Sequence, residues 1–431
     1  MYLKLYRWLT TLIGPIIDLW LIYRRRKGKE DHKRFPERLG HPGFPRPKGS
    51  LVWFHAASVG EATSILPLIE HMIKQYSDVN ILITTGTVTS AKMLKPRLPE
   101  RVIHQYVPID KMVTVRRFLA HWHPNLALWV ESELWPNLVI ETQKSGCPMI
   151  QINARISANS VQKWQRYGNF SHDVLGCFSL SLSQSKEDQE RLELLGAPHV
   201  KCLGNLKFDA PALPADPKET GRLVTMIGDR PIWVASSTHP GEETIISNVH
   251  CALKENHDRL LTIIIPRHPE RGEALQSEFR NKGLSVALRS MKQEIGQETD
   301  IYIADTIGEL GIFFRLAGIV FIGGSLVEHG GQNPLEPARL ECALITGPWH
   351  TNFMRIYKEL KDAEAVRIVQ NEKDLLSQVE TLLTDHDIQE KLAATSLQLM
   401  ESKGGVLSAY IEEITPYLKP LTRQEPNNEN A

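Results

Sequence analysis

The sequence predicts an α/β chain built on two doubly wound parallel sheets, and three observations lead there. Its 431 residues exceed what one hydrophobic core usually serves. Short β-rich runs alternate with helical stretches along most of the chain, the pattern of parallel strands covered on both faces. Near the middle, a stretch rich in proline and charge interrupts the alternation and separates two series.

The first element precedes both series. From Trp8 to Tyr23 the chain reads WLTTLIGPIIDLWLIY, followed by RRRKGK. Sixteen residues fall short of the roughly 17–25 that cross a bilayer, and Pro15 and Asp18 interrupt them. Leu5, Trp8, Leu9, Leu12, Ile13, Ile16, Leu19 and Trp20 keep helical spacing, with Arg24, Arg25, Arg26 and Lys27 beyond, which predicts an N-terminal membrane-anchoring helix on an anionic surface. The competing arrangement is a first helix packed on the protein's own core. Residues 1–50 carry twelve Lys/Arg against four Asp/Glu, a net of +8, while the whole chain is neutral. A cleaved signal would place the basic run before the apolar one. The order found here puts the globular part on the cytoplasmic side of the membrane.

The first series holds LVWFHA (51–56), NILITT (80–85), LALWV (126–130) and MIQIN (149–153). The second holds PIWVAS (231–236), LLTIIIP (260–266), DIYIA (300–304), GIVFIGG (318–324) and ALIT (343–346). These predict two Rossmann-like domains, 51–208 and 223–405, with DAPALPADPKETG at the head of a linker over 209–222. A C-terminal helix is expected over 406–423 and a disordered tail over 424–431. The expected active site is a cleft between the domains. Five cysteines lie far apart with no zinc spacing, which points to a reducing compartment and to neither disulfides nor a structural metal. No nucleic-acid partner is expected.

In open α/β sheets ligands gather beyond the C-terminal strand ends. The residues there are Glu61, Thr84, Thr85, Glu131, Arg155, His239, Arg267, Asp305 and the 324–336 loop. Glu61, after SVG, has two competing readings: a carboxylate that only complements the helix dipole, by about 0.3–1 kcal/mol, or a base at a strand's carboxyl end. Glu131 and Glu133 in WVESELWPN share a face if the backbone stays extended, with Glu131 nearer the strand; a helix cap is the plainer role. Lys207 in GNLKFD precedes the linker, where it is either solvated or set to offer positive charge to an anion. In IIIPRHPERG, Arg267 suits phosphate recognition, and His268 has no partner at i+4 for a metal.

Gly308, Gly323, Gly324, Gly330 and Gly331 would let backbone N–H groups approach a phosphate, and Glu336 at a helix start would accept from a ribose diol. Neither GxGxxG nor GxxxxGK[ST] occurs, which weighs against dehydrogenase and kinase chemistry.

The motifs HAASVGE, TTGTVTSA, ESELWPN, NARIS, GNLKFD, PRHPERG, DTIGELG and GGSLVEHGGQNPLEPA, in that order, resemble those of the 3-deoxy-D-manno-octulosonic acid (Kdo) transferases. The resemblance runs from the N-terminal apolar segment to about residue 405. It implies a GT-B glycosyltransferase that moves Kdo from CMP-Kdo to the lipid A precursor in lipopolysaccharide biosynthesis, inverting the anomeric carbon without metal or cofactor. It further implies Glu61 as proton acceptor, and Glu131 and Lys207 as transition-state stabilisers. Pro266, Arg267, Ile307, Gly308, Glu309, Asn333, Pro334, Leu335 and Glu336 fall on its CMP-binding segments. The implied location is the cytoplasmic face of the inner membrane. Ile307 stands where Met is frequent in the family and Ala57 where Val is frequent; both changes stay apolar. The rival readings are a sugar-nucleotide 2-epimerase of the same fold and a non-catalytic membrane adaptor.

Overall fold

The computed structural model describes residues 1–95 and 97–422, so the tail expected over 424–431 lies outside the described residues. The chain divides into two compact units: Met1–Ala210 together with the stretch from Lys403, and Pro211–Ser402.

Among the described residues the first unit's sheet has seven parallel strands: β1 (Ser50–His55), β2 (Val79–Thr85), β3 (Val102–Tyr106), β4 (Leu126–Val130), β5 (Met149–Ala154), β6 (Leu180–Ser183) and β7 (Val200–Cys202). Their order is β3-β2-β1-β4-β5-β6-β7. Successive side chains of β1 serve opposite layers, as a strand's period of two requires. Leu51 and Trp53 pack with Phe118, Trp122 and Leu138, whereas Val52 and Phe54 pack with Ile69, Met72 and Tyr410. The helix Val406–Leu418, the last α-helix among the described residues, therefore belongs to the first unit's core. Its buried Val406, Tyr410, Ile414 and Leu418 form an i, i+4 stripe, and Tyr410 Oη lies 3.1 Å from the Gly204 carbonyl.

The second unit holds β8 (Ile232–Thr238), β9 (Leu261–Pro266), β10 (Val286–Leu288), β11 (Ile301–Ile303), β12 (Ile319–Ile322), β13 (Ala343–Thr346) and β14 (Arg367–Ile368). The order β10-β11-β9-β8-β12-β13-β14 reverses direction at β8, so the crevice beyond β8 and β12 is this sheet's topological switch point. In the first sheet the switch lies beyond β1 and β4. All nine runs read from the sequence form strands. β3, β6, β7, β10 and β14 are additional to them; they are two to five residues long and several are interrupted by polar side chains, so no run marks them.

The linker expected over 209–222 is shorter than that. Pro217 opens a helix that runs to Ile227, capped by the Asp216 side chain and buried through Leu223 and Ile227. At the N-terminus the expected single helix is two, Tyr2–Leu12 and Gly14–Arg26, bent by 59° where Gly14 and Pro15 begin the second. No single helix among the described residues is long and apolar enough to cross a membrane. The pair packs on the first unit through polar contacts: Tyr6 Oη donates to Asp110 at 2.8 Å, Lys111 Nζ to Asp18 at 2.8 Å, and Arg7 pairs with Glu141. Leu5, Trp8, Leu12, Ile16, Leu19 and Trp20 remain exposed, Leu19 by 67%.

Candidate active site

In the first unit, β1 leads through Ala57 and Ser58 into the helix Val59–Ser64. Ser58 is its N-cap, accepting the Glu61 N–H at 3.3 Å. The Glu61 carboxylate reaches back, taking the Ser58 hydroxyl at 2.9 Å and the Ala57 N–H at 2.8 Å, a variant of the capping box. It is buried. Burial, then the charge of Glu131, pushes Glu61 up to about 7, against the pull of the Ala57 and Ser58 hydrogen bonds. The two roles read from the sequence are thus compatible, because the capping carboxylate also titrates near neutrality.

Glu131 follows β4 with φ +55, left-handed for a non-glycine residue. The backbone does not stay extended, so the shared strand face expected for Glu131 and Glu133 does not form. Such a conformation costs about 1–3 kcal/mol and persists where its surroundings hold it. Here its N–H donates to Ile152 O at 3.0 Å and its carbonyl accepts from Gln151 Nε2 at 2.6 Å. The buried carboxylate meets Lys207 Nζ at 2.6 Å and Arg155 Nε at 3.1 Å.

Lys207 rides on the short turn Leu206–Asp209. Asn153, at the end of β5 with φ +52, accepts the Leu206 N–H at 3.0 Å, and Asp209 accepts the Gly405 N–H at 2.7 Å. The start of the helix Val406–Leu418 therefore steadies the turn that carries the lysine. Of the other candidates in this unit, Thr84 bonds Trp53 Nε1 at 2.8 Å and Thr85 lies 2.9 Å from His104 Nε2; both are core residues.

In the second unit the switch point is organised by a residue that no sequence motif singles out, Glu242 in HPGEE. Fully buried, its carboxylate accepts four backbone N–H groups: His239 at 2.9 Å, Gly324 at 2.7 Å, Ser325 at 2.9 Å and Leu326 at 2.9 Å. This corrects the phosphate role expected for part of the glycine set. The Gly324 N–H serves Glu242, that of Gly323 the Ser236 carbonyl at 2.8 Å, and that of Gly331 the Gly324 carbonyl at 2.7 Å. Gly323 is needed for close approach instead, since a Cβ there would lie 2.8 Å from the Ser237 carbonyl oxygen. A carboxylate in the first turn of a helix was the available signal for Glu242, and its Gly324–Leu326 partners lie too far along the chain to be read.

Arg267 follows Pro266 at the end of β9, its N–H on Thr238 O at 2.9 Å and its side chain exposed. Gly308 turns the 305–309 segment at φ +92, leaving Ile307 72% exposed. Glu309 is drawn to Arg289, whose Nε donates at 2.6 Å and holds the carboxyl below its ordinary range. Asn333 caps the turn into Leu335–Ala338, accepting the Leu335 N–H at 3.2 Å; Pro334 and Leu335 are buried and Glu336 is half-buried and already engaged. Asp305 is occupied by Ser290 at 2.8 and 2.7 Å. His239 is buried against His329, ring centroids 3.7 Å apart, with His268 at 5.9 Å. No group of three His, Cys, Asp or Glu among the described residues is placed to hold a metal.

Residues 33–210 match the family described as 3-deoxy-D-manno-octulosonic-acid transferase (kdotransferase). The chain is 37% identical to a probable mitochondrial 3-deoxy-D-manno-octulosonic acid transferase of Arabidopsis thaliana, over 93% of this chain and 92% of that one. It is 32% identical to the 3-deoxy-D-manno-octulosonic acid transferase of Haemophilus influenzae, over 96% and 98%. Among solved structures it resembles the UDP-GlcNAc 2-epimerase of Neisseria meningitidis, with a TM-score of 0.58 and 13% identity over 85% of this chain and 100% of that one. That likeness is one of fold alone.

Proposed function

The chain belongs to the Kdo transferase family and is a glycosyltransferase, and from that premise we propose that it moves Kdo from CMP-Kdo to a hydroxyl of the lipid A precursor, lipid IVA, in lipopolysaccharide biosynthesis. The observation that carries the reading is Glu61. An alcohol is a poor nucleophile near neutral pH, so its proton must leave as the new C–O bond forms, a general-base contribution of roughly 10²–10⁴-fold. A base poised near the working pH does this best, and Glu61 sits at about 7.

In this mechanism the acceptor oxygen attacks the anomeric carbon from the face opposite CMP, giving inversion. The bond to the phosphate oxygen breaks, its electron pair leaves on CMP, and the proton passes to Glu61. Lys207 and Glu131 answer the charge that develops between nucleophile and leaving group. The nucleotide is assigned to Pro266–Arg267, 307–309 and 333–336, where exposed Arg267 suits the phosphate and exposed Ile307 suits the face of a base. No cofactor or metal enters the scheme, and activity is expected to survive excess EDTA; a rate that collapses and returns with magnesium would count against it.

The exposed apolar face of the two N-terminal helices, beside Arg25, Arg26 and Lys27, is read as the surface that docks on the cytoplasmic face of the inner membrane, where the acceptor resides. The epimerase alternative shares the fold, but no observation on these residues favours it.

The test is incubation of the purified full chain with CMP-Kdo and lipid IVA, followed by mass spectrometry of the lipid. The expected result is lipid heavier by whole Kdo residues with CMP released in equal number. CMP release without change in lipid mass would sink the reading.

A further inference from the structure

Beyond β8, β9 and β12 three imidazoles converge on one spot. His239 follows β8, His268 follows β9 and His329 lies on the loop after β12, so they meet at the second sheet's switch point. His239 and His329 stack with centroids 3.7 Å apart at 36°, and His268 approaches edge-on at 5.9 Å and 86°. Glu242 locks the arrangement, since one carboxylate holds the His239 N–H and the Gly324–Leu326 turn.

The charges facing His239 are unbalanced. Arg267, Arg271, His268 and His329 bear on it from the two neighbouring elements. On the acidic side, Glu242 is consumed by four backbone bonds and Glu243 by Arg271. Glu270 lies 3.7 Å from His268 and Glu328 is exposed to solvent. Burial first, then His329, His268, Arg267 and Arg271, depresses His239 to about 4. Gln332 Nε2 lies 3.2 Å from His239 Nε2, which suits a neutral imidazole accepting from the amide.

We propose that His239, flanked by His329, His268 and Arg267, is an anion-binding residue for the phosphate of a nucleoside monophosphate, and that it takes up a proton when that phosphate binds. This rests on the assignment of the nucleotide to the second unit and adds the histidines to it. A bound phosphate oxygen supplies the negative charge the cluster lacks and returns the imidazole toward its ordinary range near 6.5. The amide of Gln332 then turns over to present its oxygen to the new N–H. The proton comes from solvent, no covalent bond changes, and at pH 6 the free residue is neutral whereas the phosphate-bound one is charged.

Titration calorimetry of the full chain with CMP at pH 6, in two buffers of different ionisation enthalpy, measures the protons exchanged. CMP's own phosphate titrates in this range, so the readout is the difference between wild type and His239→Gln. The expected result is that wild type takes up more protons than the variant and binds CMP roughly tenfold tighter, the weight of one charge-assisted hydrogen bond. Cytidine, lacking the phosphate, should bind both equally. Should His239→Gln not fold, His329→Gln at an exposed side chain replaces it: His239 then starts nearer its ordinary value, so the uptake falls. Equal uptake and equal CMP affinity in wild type and variant overturn the histidine assignment and leave the nucleotide assignment standing. Absence of any CMP binding to wild type overturns both.

Discussion

Lys207 Nζ lies 2.6 Å from Glu131 Oε1, and the carboxylate it meets is only 5% exposed. Removing one partner of a buried pair leaves the other charge uncompensated, at a cost of about 3–5 kcal/mol, whereas removing both costs far less. Arg155 on the second oxygen softens the loss. Lys207→Met should therefore lower the denaturant midpoint clearly, and the double variant Lys207→Met/Glu131→Gln should recover most of it while remaining inactive. A double variant no more stable than the single one would refute the pairing as a stabilising contact.

Glu61→Gln should retain CMP binding and lose turnover by roughly 10²-fold or more. In wild type the rate should rise with pH through about 7, as the base loses its proton. Glu131→Gln removes the second largest cause of the shift, so the acid limb of the residual activity should move to lower pH. An acid limb unmoved in Glu131→Gln would mean that the limb does not report Glu61.

The raised proton affinity of Glu61 also bears on stability, with a definite sign. Folding lifts the carboxyl from 4.5 to about 7, so the folded state binds the proton more tightly. That contribution is fully present below pH 4.5 and is lost as pH rises through 7. A rise of that size corresponds to a loss on the order of 3 kcal/mol. Glu61→Gln cannot ionise, so it should be more stable than wild type at pH 8, with the gap closing toward pH 5. Parallel melting curves across that range would contradict the burial of an ionising carboxylate.

Glu242→Gln leaves one oxygen to accept and turns an NH₂ group against N–H donors at the other. Unsatisfied buried donors cost about 1–3 kcal/mol each. The variant should melt earlier and its amides at Gly324, Ser325 and Leu326 should exchange faster. Protection at those amides equal to wild type would show that the turn holds itself.

For membrane docking, the structure guides which charges to reverse. Arg24 is a poor choice, because its Nε holds the buried Glu30 at 2.6 Å and its guanidinium covers Trp20 at 4.8 Å. Among the described residues the Lys27 ammonium meets the exposed Tyr23 ring, at 5.8 Å, so it and its exposed neighbours Arg26 and Lys29 are the better targets. Reversing these three to Glu, or replacing Trp8 and Leu12 by Ser, should weaken binding to anionic vesicles while turnover of detergent-dispersed acceptor persists. The charge effect should fade in salt, at about 1 kcal/mol per basic residue. An equal fall in both assays would make the helix pair a structural part of the first unit only.

What the sequence determined by itself is local or sequential. Apolar runs such as LALWV and IVFI identify central strands, because a parallel strand buried on both faces must be apolar throughout. The eight ordered motifs identify the family, and the basic, aromatic N-terminus marks an unusual surface. Short strands such as β14 stayed illegible because two residues have no periodicity. Tertiary structure alone decided the rest. It brought Glu131, after β4, to Lys207 by folding the turn that follows β7 back across the sheet to Asn153 at the end of β5, joined the helix after residue 405 to the first unit, and aimed Glu242 at Gly324, 82 residues away. It also raised Glu61, since a carboxyl's proton affinity depends on the water and charge around it, and those are properties of the packed molecule.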